Sequence, residues 1–443
     1  MKRNEFLKLS GLGVLALGIN SCKTERKSEP LKNWAGNLTF SSIDVQKPSS
    51  LEELIMAYKS DNKFKSLGTR HCFNTIADTE YIHISTSNLN KVLEIDEENL
   101  LVWVESGIKY GDLGLALEEK GYALHNLASL PHISVMGAVS TATHGSGDRN
   151  GNLASEVEAI EWVVPGGMVK LFRKGDPEFE GMVVGLGALG TVYRLALKIQ
   201  PSYQVAQFLF ENLPMDACKE HFDEIYQSGY SVSMFTTWEN KMIDQVWVKR
   251  RLDEEYTKDL KDFWGAKPAT ENLHPLKGNS PINCTEQLGV PGPWYERLPH
   301  FKMDFTPSNG EELQSEYFVP RENVYEALMA IESLKEIIRP VLFVSEIRSI
   351  KADNLWMSMA SGRDSIAFHF TWKPMTPEVM EVLPQIEAKL KPFGVRPHWG
   401  KLFTMSGQEL KENYPKWDDF YSLINKFDSG RMCTNIFLEK LGF

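Results

Sequence analysis

Cysteine is scarce in this chain of 443 residues, which has five. None stands in a C-x-x-C pair, so neither a zinc site nor a dithiol redox motif is signalled. Four of them, Cys72, Cys218, Cys284 and Cys433, are too scattered to suggest a disulfide framework and are expected to be free. Positive charge is also short. Lys and Arg number 48 against 59 Asp and Glu, a formal net charge of −11, and such a surface disfavours nucleic acid as a partner. No internal repeat is visible. The long βαβ alternation of a doubly wound dinucleotide fold is missing too.

What is present is enough chain for two domains. Eleven Trp and 23 Phe supply apolar area for cores and for a lined pocket. The N-terminus reads as an address. Lys2 and Arg3 precede a short apolar run, Phe6 to Ile19, too brief to span a bilayer comfortably. The run ends at Asn20-Ser21-Cys22, which resembles a bacterial lipoprotein processing site, with Cys22 as the lipidated residue. Lys2-Arg3-Asn4-Glu5-Phe6-Leu7-Lys8 also resembles a twin-arginine export signal. The expected location is therefore the cell envelope or periplasm, with membrane attachment through Cys22. A plain signal peptide with an incidental cysteine is the alternative.

Along the chain, Pro48-Ser49-Ser50-Leu51-Glu52 predicts a helix start, with Ser49 and Glu52 as a capping box and the helix running to about Tyr58. Tyr81 to Ser85, Leu101 to Val104, Glu158 to Val164 and Thr191 to Ile199 have strand character. Tyr110 to Lys120 predicts a helix closed by Gly121. From about Pro201 the character changes. Strand-like Ser231 to Phe235 and Gln245 to Val248 are followed by helical patterns at Glu322 to Ile338 and Pro377 to Leu390, and Asp253 to Pro293 reads as loop-rich. The expected class is α+β, with a first domain over 33–200 after an N-terminal segment over 1–32. A second domain over 201–397 is built on a large antiparallel sheet flanked by helices, and 398–443 returns to the first.

Two small-residue blocks carry the chemistry. Leu67-Gly68-Thr69-Arg70-His71-Cys72-Phe73-Asn74 sets a histidine in a Gly-containing turn. Ser134-Val135-Met136-Gly137 to Ser140-Thr141-Ala142-Thr143-His144-Gly145-Ser146-Gly147 follows. Backbone N–H groups of such turns are ready ligands for phosphate, and only small residues let the backbone come close. Thr141 and Ser146 add hydroxyl donors. Taken alone, such clusters are more often plain loops. A third Gly-rich turn, Gly185 to Gly190, leads into the strand at Thr191-Val192.

The order of these blocks resembles the flavin-binding half of the vanillyl-alcohol oxidase family, which has a two-part PCMH-type FAD-binding domain and a substrate (cap) domain. Asn33-Trp34-Ala35-Gly36-Asn37, Leu127 to Ser134, Val290 to Trp294 and Pro397-His398-Trp399-Gly400-Lys401 resemble its alditol (xylitol) oxidase subgroup. The resemblance runs from about residue 33 to the C-terminus. It implies FAD, with His71 covalently bonded to the flavin through a ring nitrogen. It further implies cofactor contacts from Gly68, Thr69, Arg70, Cys72, Asn74, Ser129, Ser134, Gly137, Thr141, His144, Gly145, Ser146, Gly190, Val192 and Asn435. Where this chain has Arg70 and Cys72, the commonest pattern has Gly and Ser. A glycine there permits φ > 0, which Arg resists.

For the substrate, Glu346 and Arg348 alternate and so share one strand face, as do His369 and Thr371. Without a family match, Glu346-x-Arg348 would read as a surface charge pair. The resemblance implies Lys401, Arg348 and Glu346 as catalytic residues and Ser129, Gln314, His369 and Thr371 as substrate ligands. Arg348 beside Lys401 is expected to lower the lysine pKa, with Glu346 balancing the cations. The implied activity is oxidation of the terminal primary alcohol of a small polyol, with O2 reduced to H2O2. A sugar-1,4-lactone oxidase, a dehydrogenase using another acceptor, or a carbohydrate-binding lipoprotein without turnover are the alternatives.

Overall fold

The computed structural model describes residues 30–59, 62–304 and 312–443. The export signal and Cys22 lie outside the described residues. The first half of the chain forms two main sheets, besides a two-stranded pair of Tyr122–Ala123 and Gln200–Pro201. Val45–Gln46, Ile82–Ser85 and Phe64–Leu67 make a three-stranded parallel sheet in that order. Val92–Asp96, Leu101–Glu105, Thr191–Lys198, Val157–Val164 and Met168–Arg173 make a five-stranded antiparallel sheet in that order. The inner strand Val157–Val164 is almost wholly buried, whereas edge strand Met168–Arg173 leaves Met168, Val169 and Leu171 exposed.

The helix at Leu51–Ala57 starts one residue later than the capping box predicted. Ser50 is the cap and accepts from Glu53 N, while Glu53 reaches back to the N–H and hydroxyl of Ser49. The adjacent Ser-Ser pair made the register ambiguous. The helix Tyr110–Glu118 closes before Gly121, whose φ of 79° is the left-handed conformation glycine adopts freely. The helical pattern at 322–338 is two helices, Val324–Glu332 and Lys335–Ile338, broken at Ser333-Leu334.

The second half is organised by a nine-stranded antiparallel sheet. Gln204–Pro214, Met242–Arg251, Ser231–Thr236, Leu342–Ile350, Ser365–Trp372 and Leu313–Pro320 are its long strands, in that spatial order. Helices Ala217–Gln227 and Val324–Glu332 pack beside it, and Thr376–Leu390 packs on Val324–Glu332. Buried Tyr226 anchors the first of these by donating its hydroxyl to Ile347 O at 2.7 Å. The closing helices Trp417–Phe427 and Ile436–Leu441 lie against Phe179–Val183 and Thr75–Ala77 of the first half, and Phe64 N donates to Met432 O. Cys72, Cys218, Cys284 and Cys433 are free and buried.

Candidate active site

Two cavities meet at one histidine. The first, about 900 Å³, runs along the small-residue turns of the first half. Gly68 to Cys72 form one wall, Gly137, Thr141 and Thr143 another, and Gly187, Gly190 and Val192 a third. A Cβ would crowd the glycines here, against backbone at Gly190 and against a serine hydroxyl at Gly68 and Gly137. A Cβ on Gly68 or Gly137 would stand 2.7 or 2.8 Å from Ser134 Oγ, and one on Gly190 would stand 2.4 Å from Val163 O. Two buried polar atoms of the lining, His71 Nε2 and Trp162 Nε1, have no hydrogen-bond partner among the described residues, and neither does Ser134 Oγ, which packs against Gly68 and Gly137. Buried polar groups are normally satisfied, so these atoms are left for a bound ligand to meet.

Arg70 settles the point raised by its side chain. It takes φ = 65°, the conformation expected of the glycine it replaces. Its backbone C=O accepts from Trp34 N at 2.9 Å and its guanidinium donates to Lys32 O at 2.9 Å. These contacts offset a strain of order 1–3 kcal/mol. His71 is stacked on Trp34 at 4.8 Å, and its Nδ1 meets Thr69 Oγ1 at 3.2 Å. Burial, then the nearby His132, pull its pKa down to about 4, so the ring is neutral and keeps a lone pair.

Several residues expected at the cofactor lie elsewhere. Ser146 Oγ donates to Val232 O, and Gly147 N donates to Ser349 O at 2.9 Å. A Cβ on Gly145 would meet Leu127 O at 2.4 Å. This stretch therefore joins the two halves of the molecule instead of lining the first cavity. Asn435 caps the last helix and donates to Thr75, Ile76 and Asp78 carbonyls. Asn74 donates to Trp399 O at 2.9 Å and Lys401 O at 2.6 Å, holding the substrate-side segment. His144 faces the second cavity. Cys72 does line the first, with a thiol that burial pushes up to about 12, hence inert. Sequence reasoning passed over Lys65, which is buried in the same cavity and donates to Gly187 O and Cys433 O.

The second cavity, about 1200 Å³, shares His71, Ile133 and Thr143 with the first. Its polar floor is a product of strand register. Glu316, His369 and Glu346 are paired across three adjacent strands, and Gln314 pairs with Thr371 in the next row. Neighbouring strands sit roughly 4.8 Å apart with alternate side chains on one face. Arg348 lies two residues along from Glu346, and Ser129 and Lys401 enter from loops.

Glu316, which sequence reasoning missed, is the hub. It accepts Lys401 Nζ at 2.8 Å and Arg348 Nη2 at 2.5 Å, with His144 Nε2 at 3.2 Å. Burial favours its neutral form, but Lys401, Arg348 and His144 together hold it well below the usual carboxylate range. The role given to Glu346, balancing Lys401, is therefore filled by Glu316. The signal was available, since Gln314 and Glu316 alternate on one strand as Glu346 and Arg348 do. Glu346 lies 3.6 Å from Arg348 Nε and accepts from His300 Nε2 at 2.8 Å. Lys401 Nζ also meets His369 Nδ1 at 2.8 Å, and His369 Nε2 meets Thr371 Oγ1 at 3.1 Å. Burial lowers the Lys401 pKa, Glu316 opposes this and Arg348 adds to it. Arg348 Nη1 reaches Ser129 Oγ at 3.4 Å.

Comparison with known proteins agrees with this geometry. An FAD binding domain family matches residues 45–172, and the D-arabinono-1,4-lactone oxidase family matches residues 306–441. An alditol oxidase from a Streptomyces species is 42% identical over 417 residues, 94% of this chain and 99% of the relative. An L-gulono-1,4-lactone dehydrogenase from Mycobacterium tuberculosis is 27% identical, over 92% of this chain and 98% of the relative. Among solved structures, cholesterol oxidase from B. sterolicum superposes with a TM-score of 0.75 at 13% identity, covering 93% of this chain and 96% of that one, which shows a shared fold. The glycine-walled cavity is thus an FAD site, and the chain belongs to the alditol oxidase family of FAD-binding oxidoreductases.

Proposed function

We propose that the protein oxidises the terminal primary alcohol of an alditol such as xylitol or sorbitol to the aldose, with O2 reduced to H2O2. The observation that carries this reading is Lys401 Nζ, held between Glu316 and His369 beside Arg348 in a cavity that opens on His71. Bound FAD supplies the acceptor for the hydride from the alcohol carbon. The chain's own residues handle the proton. As a neutral amine, Lys401 directs its two N–H bonds at Glu316 and His369, and its lone pair takes the hydroxyl proton. The resulting ammonium is stabilised by Glu316, and Arg348 stabilises negative charge developing on the substrate oxygen. Glu346, Ser129, Gln314 and Thr371 offer acceptors and donors for the remaining hydroxyls.

The same reading makes His71 the covalent anchor of the flavin. A neutral ring whose Nε2 has no hydrogen-bond partner among the described residues, on a backbone already in the required conformation, supports it. It also makes the enzyme an envelope protein, lipid-anchored at Cys22, which a Cys22→Ser variant released from the membrane fraction would support.

The test is anaerobic mixing of the purified flavoprotein with xylitol, sorbitol and a panel of aldono-1,4-lactones. Alditols should bleach the flavin, and readmitted O2 should restore it with one H2O2 per turnover. Bleaching by lactones alone would replace this reading with lactone oxidation, which the family match at 306–441 makes the second candidate. The yellow colour should survive acid precipitation in wild type and be lost in His71→Ala.

A further inference from the structure

Behind Glu346 lies a buried polar chain that no step above uses. Lys249, on strand Met242–Arg251, is 1% exposed and forms no ion pair with a carboxylate among the described residues. Its ammonium donates to Leu298 O, to Pro299 O at 3.2 Å and to His300 Nδ1 at 3.0 Å. Glu346, held ionised below the usual carboxylate range despite its burial by Arg348 and His300, can only accept, so a neutral His300 ring carries its proton on Nε2, 2.8 Å from Glu346 Oε1, and leaves Nδ1 to accept from Lys249. Trp247 and Phe235 pack edge-on against the ring at 5.1 and 5.5 Å, so it cannot swing away. The His300 backbone is tied to the same pocket, its N–H donating to Ser129 O at 3.1 Å. Glu346 Oε2 has no partner among the described residues, and Glu346 lines the cavity.

We infer that Lys249 and His300 are positioning residues for substrate specificity: the Lys249–His300–Glu346 chain fixes the ring tautomer and fastens one carboxylate oxygen, so that the other faces the cavity as an acceptor for an alditol hydroxyl distant from the reacting carbon. A buried, unpaired ammonium is expensive to keep. Burial pulls Lys249 down to about 7, opposed by Glu346 and Cys284 and assisted by Arg348. Its retention at 1% exposure calls for such a task. This rests on the alditol reading of the cavity.

The experiment compares wild type with Lys249→Met, His300→Leu and His300→Gln, all as flavin-loaded protein reduced anaerobically by xylitol. Gln keeps an N–H donor near the Nε2 position, and Leu does not. The dissociation constant for xylitol should rise roughly tenfold or more in Lys249→Met and His300→Leu, with the limiting reduction rate within about threefold of wild type, and His300→Gln should recover most of the affinity. Rates and affinities that match wild type in all three variants overturn the inference. So does a collapse of the limiting rate with unchanged affinity, or a His300→Gln no better than His300→Leu. If Lys249→Met does not fold, the two His300 variants decide alone. A wild type that xylitol does not bleach refutes the alditol reading instead, a separate and recognisable outcome.

Discussion

The two cavities that meet at His71 are built by different means. The cofactor cavity is made of backbone: turns, glycines that a Cβ would fill, and a positive φ held at Arg70. The substrate cavity is made of charge: Glu316, Glu346, Arg348, Lys401 and His369 set on one sheet face and its rim. A nucleotide is recognised where the chain comes close to it. A polyol is recognised where side chains of defined protonation are held at fixed spacing. Damage should therefore appear as lost chemistry in one cavity and as lost retention in the other.

The strongest test of that contrast is Lys401→Met. Flavin reduction by an alditol should fall by about 10³-fold, within the usual range for a lost acid–base group, while the absorption spectrum of the bound flavin is unchanged. Stopped-flow reduction rates check it, and a fall of less than tenfold would remove Lys401 from the proton transfer. The mirror experiment is Gly68→Ala in a His71→Ala background, where the flavin can exchange. The added methyl meets Ser134 Oγ at 2.7 Å, and overpacking of this kind costs about 1–3 kcal/mol. FAD affinity should fall roughly tenfold or more in a fluorescence titration, and Ser134→Ala should restore part of it. If the limiting reduction rate dropped instead with affinity intact, the division between the cavities would fail.

The smallest effect concerns stability against pH. Burial, with Lys249 beside it, keeps the His300 pKa down at about 4 in the folded protein against 6.5 in the unfolded chain, despite the opposing Glu346. Between those values the unfolded chain binds a proton that the native state refuses. Stability therefore falls as pH drops from 6.5 toward 4. His300→Gln should reduce proton uptake on unfolding at about pH 5 by close to one proton, measured from the pH dependence of denaturant midpoints.

Much of this organisation was legible in the residues. Strand alternation exposed Glu346/Arg348 and His369/Thr371 as same-face pairs, and the change of character near Pro201 marked the large sheet. What stayed hidden depends on pairing between distant strands. Glu316 became the hub only because its strand lies two places from Glu346 with His369 between them, a register no local pattern encodes. Gly145, Ser146 and Gly147 misled for the opposite reason. A Gly/Ser turn that approaches a phosphate and one that approaches another strand look alike in one dimension. Arg70 shows that a side chain unsuited to φ > 0 can be held there by two backbone partners brought from residues 32–34.

Asn74 has a consequence for how the two cavities are held together. Its amide grips the carbonyls of Trp399 and Lys401 three residues past His71. The loop that carries His71 and the segment that carries Lys401 are stitched together, so breathing between the two halves of the molecule need not alter the distance between them. Changing which sugar alcohol is accepted can then proceed by altering the sheet floor, leaving that distance untouched.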